Sequence, residues 1–129
     1  PVNTFVENVA AGSSFSGFWF EVKGRVRGPS ASHFPPEMNP STLPLKEFSG
    51  NVAHSNTNGL QTYPQTGYKP SVVAIFDNFK SFRNREAGVF FHAGGLLGIG
   101  NSYFSDNKRH AVKIDADHSD MIYNTVIVG

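Results

Sequence analysis

The chain has 129 residues, a formal net charge of +1 and no cysteine. That excludes a disulfide framework, a thiolate metal site and a broad basic field for nucleic acid within it. Only 16% of its residues are charged, while twelve Phe, four Tyr and one Trp supply ample core. There is no signal-peptide pattern and no apolar run of roughly 18 residues, so no membrane insertion by this segment is expected.

The first row, Phe5-Val6-Glu7-Asn8-Val9-Ala10-Ala11-Gly12, leads into Gly17-Phe18-Trp19-Phe20-Glu21-Val22. Residues 24–44 then break the pattern with Pro29, Pro35, Pro36, Pro40 and Pro44. Proline lacks the ladder donor, so this stretch is expected to be a loop ejected from the stack. The second row runs Phe48-Ser49-Gly50-Asn51-Val52-Ala53-His54-Ser55-Asn56, then Gly59-Leu60-Gln61-Thr62-Tyr63.

From Phe76 to Asp115 the repeat is plainest. Asn78 falls on Asn101, Asn84 on Asn107, Gly88 on Ala111 and Val89 on Val112, all at a step of 23. A further row starts at Asn124. Short apolar runs, Val72–Phe76, Leu96–Ile99 and Met121–Tyr123, precede their asparagines and read as strands. No helical period is sustained. A fixed period with Asn and small residues at fixed offsets predicts an all-β solenoid. The fold expected is a right-handed parallel β-helix of about five coils spanning residues 1–129, with the proline-rich loop inserted at about 24–44. Neither end reads as a cap, so a segment of a longer protein, or one that stacks on further β-helix coils of the same or another chain, is expected.

Asn tolerates left-handed dihedrals at sharp corners, and stacked amides extend a hydrogen-bonded ladder. One structural ladder is read through Asn8, Asn51, Asn78, Asn101 and Asn124, and another through Asn84 and Asn107. Alternation after each small residue then gives two outward columns. They are Trp19, Gln61, Phe90, Lys113 and Glu21, Tyr63, His92, Asp115. Aromatic rings beside Glu, His and Asp suit sugar rings and their hydroxyls, against the alternative of an ordinary solvated face.

Two stretches resemble a known family. They are Asn8–Ser13 with Gly17–Phe20 and Gly28-Pro29-Ser30, and Leu43–Asn56 with Asn58-Gly59-Leu60. Both are similar to the β-helix region of fibrocystin, the fibrocystin-like proteins and the related cell-surface hyaluronidases, over residues 5–63. The resemblance implies an extracellular or cell-surface location and a large ectodomain with further β-helix upstream. In the hyaluronidase branch the residues implicated in activity lie upstream too, so no catalytic residue is carried onto this chain.

Chemistry within these residues has little support. Glu21 and Asp115 sit three coils apart, roughly 14 Å, where paired-carboxylate hydrolysis needs about 5–9.5 Å. Asp115, Asp117 and Asp120 with His118 form an acidic turn. It lacks the calcium-loop glycine and the late Glu, so a solvated turn and no cofactor are expected, with calcium the alternative. His54 reads as structural, and His33, His92 and His110 lack a paired nucleophile. Lys80, Arg83, Arg85, Lys108 and Arg109 read as solvating charge, with an anionic glycan as the alternative partner. The leading reading is a non-catalytic scaffold and adhesion segment presenting a glycan-binding face. Its alternatives are part of a hyaluronidase-like enzyme with catalytic residues elsewhere, and a self-stacking filament protein.

Overall fold

Runs of three to six residues, punctuated by sharp corners, are too short for helices and fit a wall of narrow strands. A computed structural model of the chain describes residues 3–65, 67–115 and 120–129. The first coil holds β1 (Asn3–Val6), β2 (Val9–Ala11) and β3 (Ser16–Phe20). The second holds β4 (Leu45–Ser49), β5 (Val52–His54) and β6 (Asn58–Thr62). The third holds β7 (Ala74–Asp77), β8 (Lys80–Phe82) and β9 (Ala87–His92). The fourth holds β10 (Leu97–Gly100), β11 (Tyr103–Ser105) and β12 (His110–Asp115), and β13 (Met121–Tyr123) and β14 (Val126–Val128) begin a fifth.

Each strand pairs with its equivalent one coil away, always in parallel, giving three sheets. The first is ordered β1-β4-β7-β10-β13, the second β2-β5-β8-β11-β14 and the third β3-β6-β9-β12. The chain is a parallel β-helix.

The interior is an aromatic stack. Phe48, Phe76, Phe79, Phe91 and Phe104 are fully buried. Phe48 meets Phe76 at 5.0 Å and Phe79 at 5.4 Å, and Phe76 meets Phe91 at 5.3 Å. Each buried ring contributes about 1.5–3 kcal/mol by burial, and edge-to-face pairing adds about 0.5–1.5 kcal/mol.

The corners between the first and second sheets follow a two-residue rule. Glu7, Gly50, Asn78, Asn101 and Asn124 take positive φ, between 45° and 66°. The next residue in each coil stands beside it, and in the second, fourth and fifth coils its side chain supplies an acceptor. Asn51 Oδ1 takes the Asn8 backbone amide at 2.9 Å, and Ser102 Oγ takes that of Phe79 at 3.0 Å. The single ladder expected from the sequence therefore splits. Asn8 and Asn51 belong to the inner column with Phe79, Ser102 and Thr125, while Asn78, Asn101 and Asn124 occupy the left-handed column beside it. In that outer column Asn124 Nδ2 donates to Asn101 Oδ1 at 2.5 Å, and Asn101 Nδ2 to Asp77 Oδ1 at 2.7 Å.

The corner between the second and third sheets repeats the rule. Gly12, Ser55, Arg83 and Asp106 have positive φ, and Ser13, Asn56, Asn84 and Asn107 follow them. Asn56 Oδ1 accepts from the Ser13 amide at 2.9 Å, Asn84 Oδ1 from Asn56 at 3.1 Å, and Asn107 Oδ1 from Asn84 at 3.2 Å. Asn56, absent from the ladder read in the sequence, is its central and fully buried member.

The proline-rich insertion is docked rather than ejected along its return limb. Its two short 3-10 turns are Gly28–His33, which buries nothing, and Pro40–Thr42. Ser41 and Thr42 carbonyls accept the amides of Lys69 and Ser71 at 3.0 and 2.9 Å. The Tyr68 hydroxyl donates to Leu43 O at 2.8 Å, and burial pushes its pKa up to about 12.

Candidate functional site

Period-2 alternation along the third sheet sends Phe18, Leu60, Val89 and Val112 inward and turns the residues that follow them toward the outer face. Trp19 is paired with Gln61, Gln61 with Phe90 and Phe90 with Lys113 in consecutive strands. The second column starts where the Tyr63 amide reaches Phe20 O at 3.0 Å, which sets Tyr63 beside Glu21, and ends with Asp115 paired to His92.

The two columns divide into two clusters. At the first-coil end Trp19 packs edge-on against Tyr63 at 5.7 Å and against Phe15 at 4.9 Å. Its indole N–H donates to Glu21 Oε2 at 3.0 Å. Lys23 pairs with the other Glu21 oxygen and stands 3.8 Å from the Tyr63 ring centre. Bonding to Lys23 and then to Trp19 holds the Glu21 carboxyl below its usual range, and the Glu21 bond raises Lys23. Lys23 and Phe15 complete this cluster. Neither was among the residues singled out from the sequence, because Lys23 lies beyond the strand and Phe15 before it.

At the other end the Lys113 ammonium sits 4.2 Å above the Phe90 ring, and Phe90 meets His92 at 4.9 Å. His92 Nε2 lies 3.8 Å from Asp115 Oδ2, and among the described residues its buried Nδ1 meets no hydrogen-bond partner. Between the clusters Gln61 is only 7% exposed. Its Oε1 accepts from Ser16 Oγ at 2.9 Å and Asn58 Nδ2 at 2.8 Å. Gln61 thus forms the floor between two polar-aromatic ends.

Glu21, just past the end of β3, and Asp115, the last residue of β12, lie at the two outermost strands of the sheet, three spacings or about 14 Å apart. That is too far for the two carboxylates to share one scissile bond. Of the acidic turn, Asp117 lies outside the described residues. Asp115 faces His92, and Asp120 Oδ1 accepts the Leu97 amide at 3.1 Å. Among the described residues no three potential metal ligands gather.

A stack of three parallel sheets with polar corner ladders defines the class, a parallel β-helix. Residues 1–60, from β1 into β6, match the family model described as CEMIP beta-helix. The mouse cell migration-inducing and hyaluronan-binding protein is 27% identical over 83% of this chain and 10% of its own length. The human cell surface hyaluronidase CEMIP2 gives 27% over the same shares, and mouse fibrocystin-L 31% over 88% of this chain and 3% of its own. No solved structure matches. The chain is a distant homologue of the CEMIP and fibrocystin-like proteins over most of its length, and spans a tenth or less of these relatives.

Proposed function

We propose that this β-helix segment is a non-catalytic scaffold of a large extracellular or cell-surface protein, and that the outer face of its third sheet contacts a glycan. The observation that carries this reading is the pairing of each aromatic group with ions on one sheet face. Trp19 and Tyr63 stand with Glu21 and Lys23, and Phe90 stands with Lys113, His92 and Asp115. Rings offer apolar faces to a sugar, and the flanking ions offer bonds to its hydroxyls. The names of two relatives, one hyaluronan-binding and one a cell-surface hyaluronidase, support a glycan and an extracellular setting. The carboxylate separation supports contact over hydrolysis. Further β-helix coils, of this chain or another, are the partner that would cover Ile122 and Ile127, both about half exposed on the last strands.

The test is binding to a glycan array that includes hyaluronan, with Trp19→Ala and Phe90→Ala as variants. Loss of binding with unchanged melting supports the face. The scaffold reading is overturned if the chain degrades a glycan and Glu21→Gln or Asp115→Asn abolishes that activity. Absence of glycan binding by the folded chain removes the contact face.

A further inference from the structure

The chain carries eleven Lys and Arg residues, and the fold treats two of them differently from the rest. Lys46, Lys80 and Lys113 lie within paired strands. The backbone amides of Lys69, Arg83, Arg85, Lys108 and Arg109 are each bonded to a neighbouring segment. Lys23 is held through its ammonium by Glu21 and the Tyr63 ring. Arg25 and Arg27 stand outside all of this. Both are exposed, and neither guanidinium makes a hydrogen bond or ion pair among the described residues.

Their backbone is free as well. Among the described residues, no backbone hydrogen bond ties positions 24–34 to the coils. The turn that follows, Gly28–His33, buries nothing. Arg27 is extended, with φ −132° and ψ 167°, whereas Arg25 sits in a bend. An endoprotease takes its substrate as an extended strand, and an acidic specificity pocket takes arginine just before the cut. Gly28 sets no side chain just after that bond. Exposed loop backbone of this kind is where chains are nicked.

Both sides of the bond are anchored. Upstream, β3 pairs with β6 through Phe18–Leu60 and Phe20–Thr62. Downstream, the Ser41 and Thr42 carbonyls hold the Lys69 and Ser71 amides, and the Tyr68 hydroxyl holds Leu43 O. The strands β1 and β2 pair with β4 and β5. A cut after Arg27 thus breaks the covalent link between the first and second coils and leaves all three of their ladders in place.

We propose that the Arg27–Gly28 bond is a processing site for an arginine-specific serine endoprotease, whose product is a two-chain β-helix. The reaction is hydrolysis of one amide. Water supplies a hydroxyl to the Arg27 carbonyl carbon, which becomes a carboxyl group, and a proton to the nitrogen, which leaves as the Gly28 amine. After the cut the first coil is held by strand pairing alone, so its attachment depends on concentration. The site uses no residue of the third-sheet face and stands whether or not that face binds a glycan.

The experiment treats the folded chain with trypsin at a limiting ratio and reads intact masses after denaturation. The first products expected are residues 1–27 and 28–129, which elute together under native conditions. The melting temperature of the nicked protein should rise with protein concentration, while that of the uncut chain does not. A lysine-specific protease under the same conditions leaves the chain whole. Arg25→Gln combined with Arg27→Gln should slow the first cut at least about tenfold, and Lys23→Gln should leave its rate unchanged. Terminal labelling of the protein taken from its source should find an amino terminus at Gly28. The proposal is overturned if the first cut maps elsewhere, if the double variant is cut as fast as the parent, or if the two pieces separate on elution. It is also overturned if the protein from its source carries no Gly28 terminus.

Discussion

Asn107 Oδ1 accepts hydrogen bonds from both the backbone amide and the side-chain amide of Asn84, at 3.2 and 2.8 Å, across one coil boundary. Asn84 in turn presents its own Oδ1 to the Asn56 amide and is almost fully buried. Removing that oxygen leaves a buried N–H without a partner, which costs about 1–3 kcal/mol. Asn84→Ala should lower unfolding free energy by that amount in a denaturant titration. Asn84→Asp keeps the acceptor but puts a buried carboxylate oxygen against Asn107 Oδ1 in place of the Nδ2 donor, and should cost more than Asn84→Ala at neutral pH. A smaller loss in Asn84→Asp than in Asn84→Ala would show that the acceptor alone holds the corner.

The glycine column beside this ladder makes a second prediction. A Cβ on Gly59 would come within 2.0 Å of Ser81 Oγ and 2.4 Å of Gly88 O. One on Gly88 would meet Ala111 O at 2.6 Å and Asn107 Nδ2 at 2.9 Å. In the fourth coil Ala111 holds the equivalent position on the outermost strand of its sheet, and its Cβ is accommodated. Overpacking of this kind typically costs about 1–3 kcal/mol. Gly59→Ala should lower the melting temperature clearly, while Ala111→Gly shifts it little. A neutral Gly59→Ala would mean that neighbouring coils slide apart without cost.

These corners also show what the sequence could and could not reveal. The step of 23 between the third and fourth coils was legible because no insertion separates Asn78 from Asn101 or Asn84 from Asn107. Asn8 and Asn51 misled because asparagine suits both corner roles. It tolerates positive φ, and its amide accepts from a neighbouring backbone. In the second coil Gly50 takes the left-handed place, which moves Asn51 one position inward. Asn56 was hidden by its spacing of 28 to Asn84, lengthened by the loop between β6 and β7.

Along the third sheet the register pairs Trp19 with Gln61, Gln61 with Phe90, Phe90 with Lys113 and His92 with Asp115. Alternation gives direction but not depth. Gln61 points outward yet is buried, because Ser16 and Asn58 bind its carbonyl from either side.

Arg85 ties three coils together from the surface. Its guanidinium donates to Ser13 O at 2.7 Å, Ser55 O at 3.2 Å and Thr57 Oγ1 at 3.2 Å. The planar fork fits several acceptors at once, which a lysine ammonium does not reproduce. Because the contact is exposed, global stability should fall by only about 0.5–1.5 kcal/mol in Arg85→Ala. Local opening is the sharper readout. Amide exchange at Thr57 and Asn58, both bonded to Phe15 O, should quicken in Arg85→Ala and recover only in part in Arg85→Lys. Unchanged exchange at those two amides would show that the corner holds without the clamp.

Asp120 gives the pH prediction. Burial raises its pKa above the ordinary 3.8, and the smaller effect of the Leu97 N–H lowers it. The folded chain therefore holds this proton more tightly than the unfolded chain. Its contribution is most favourable below the unfolded pKa and is lost as pH rises from 3.8 through the raised folded value. Asp120→Asn keeps an oxygen for the Leu97 amide and carries no charge. Relative to that variant, the parent should lose stability across the window from about pH 4 upward and then level off. Chemical denaturation of both proteins at a series of pH values between about 3 and 7 measures the difference directly. A parent that gains on the variant as pH rises would mean that a cation outweighs desolvation at Asp120, reversing the sign.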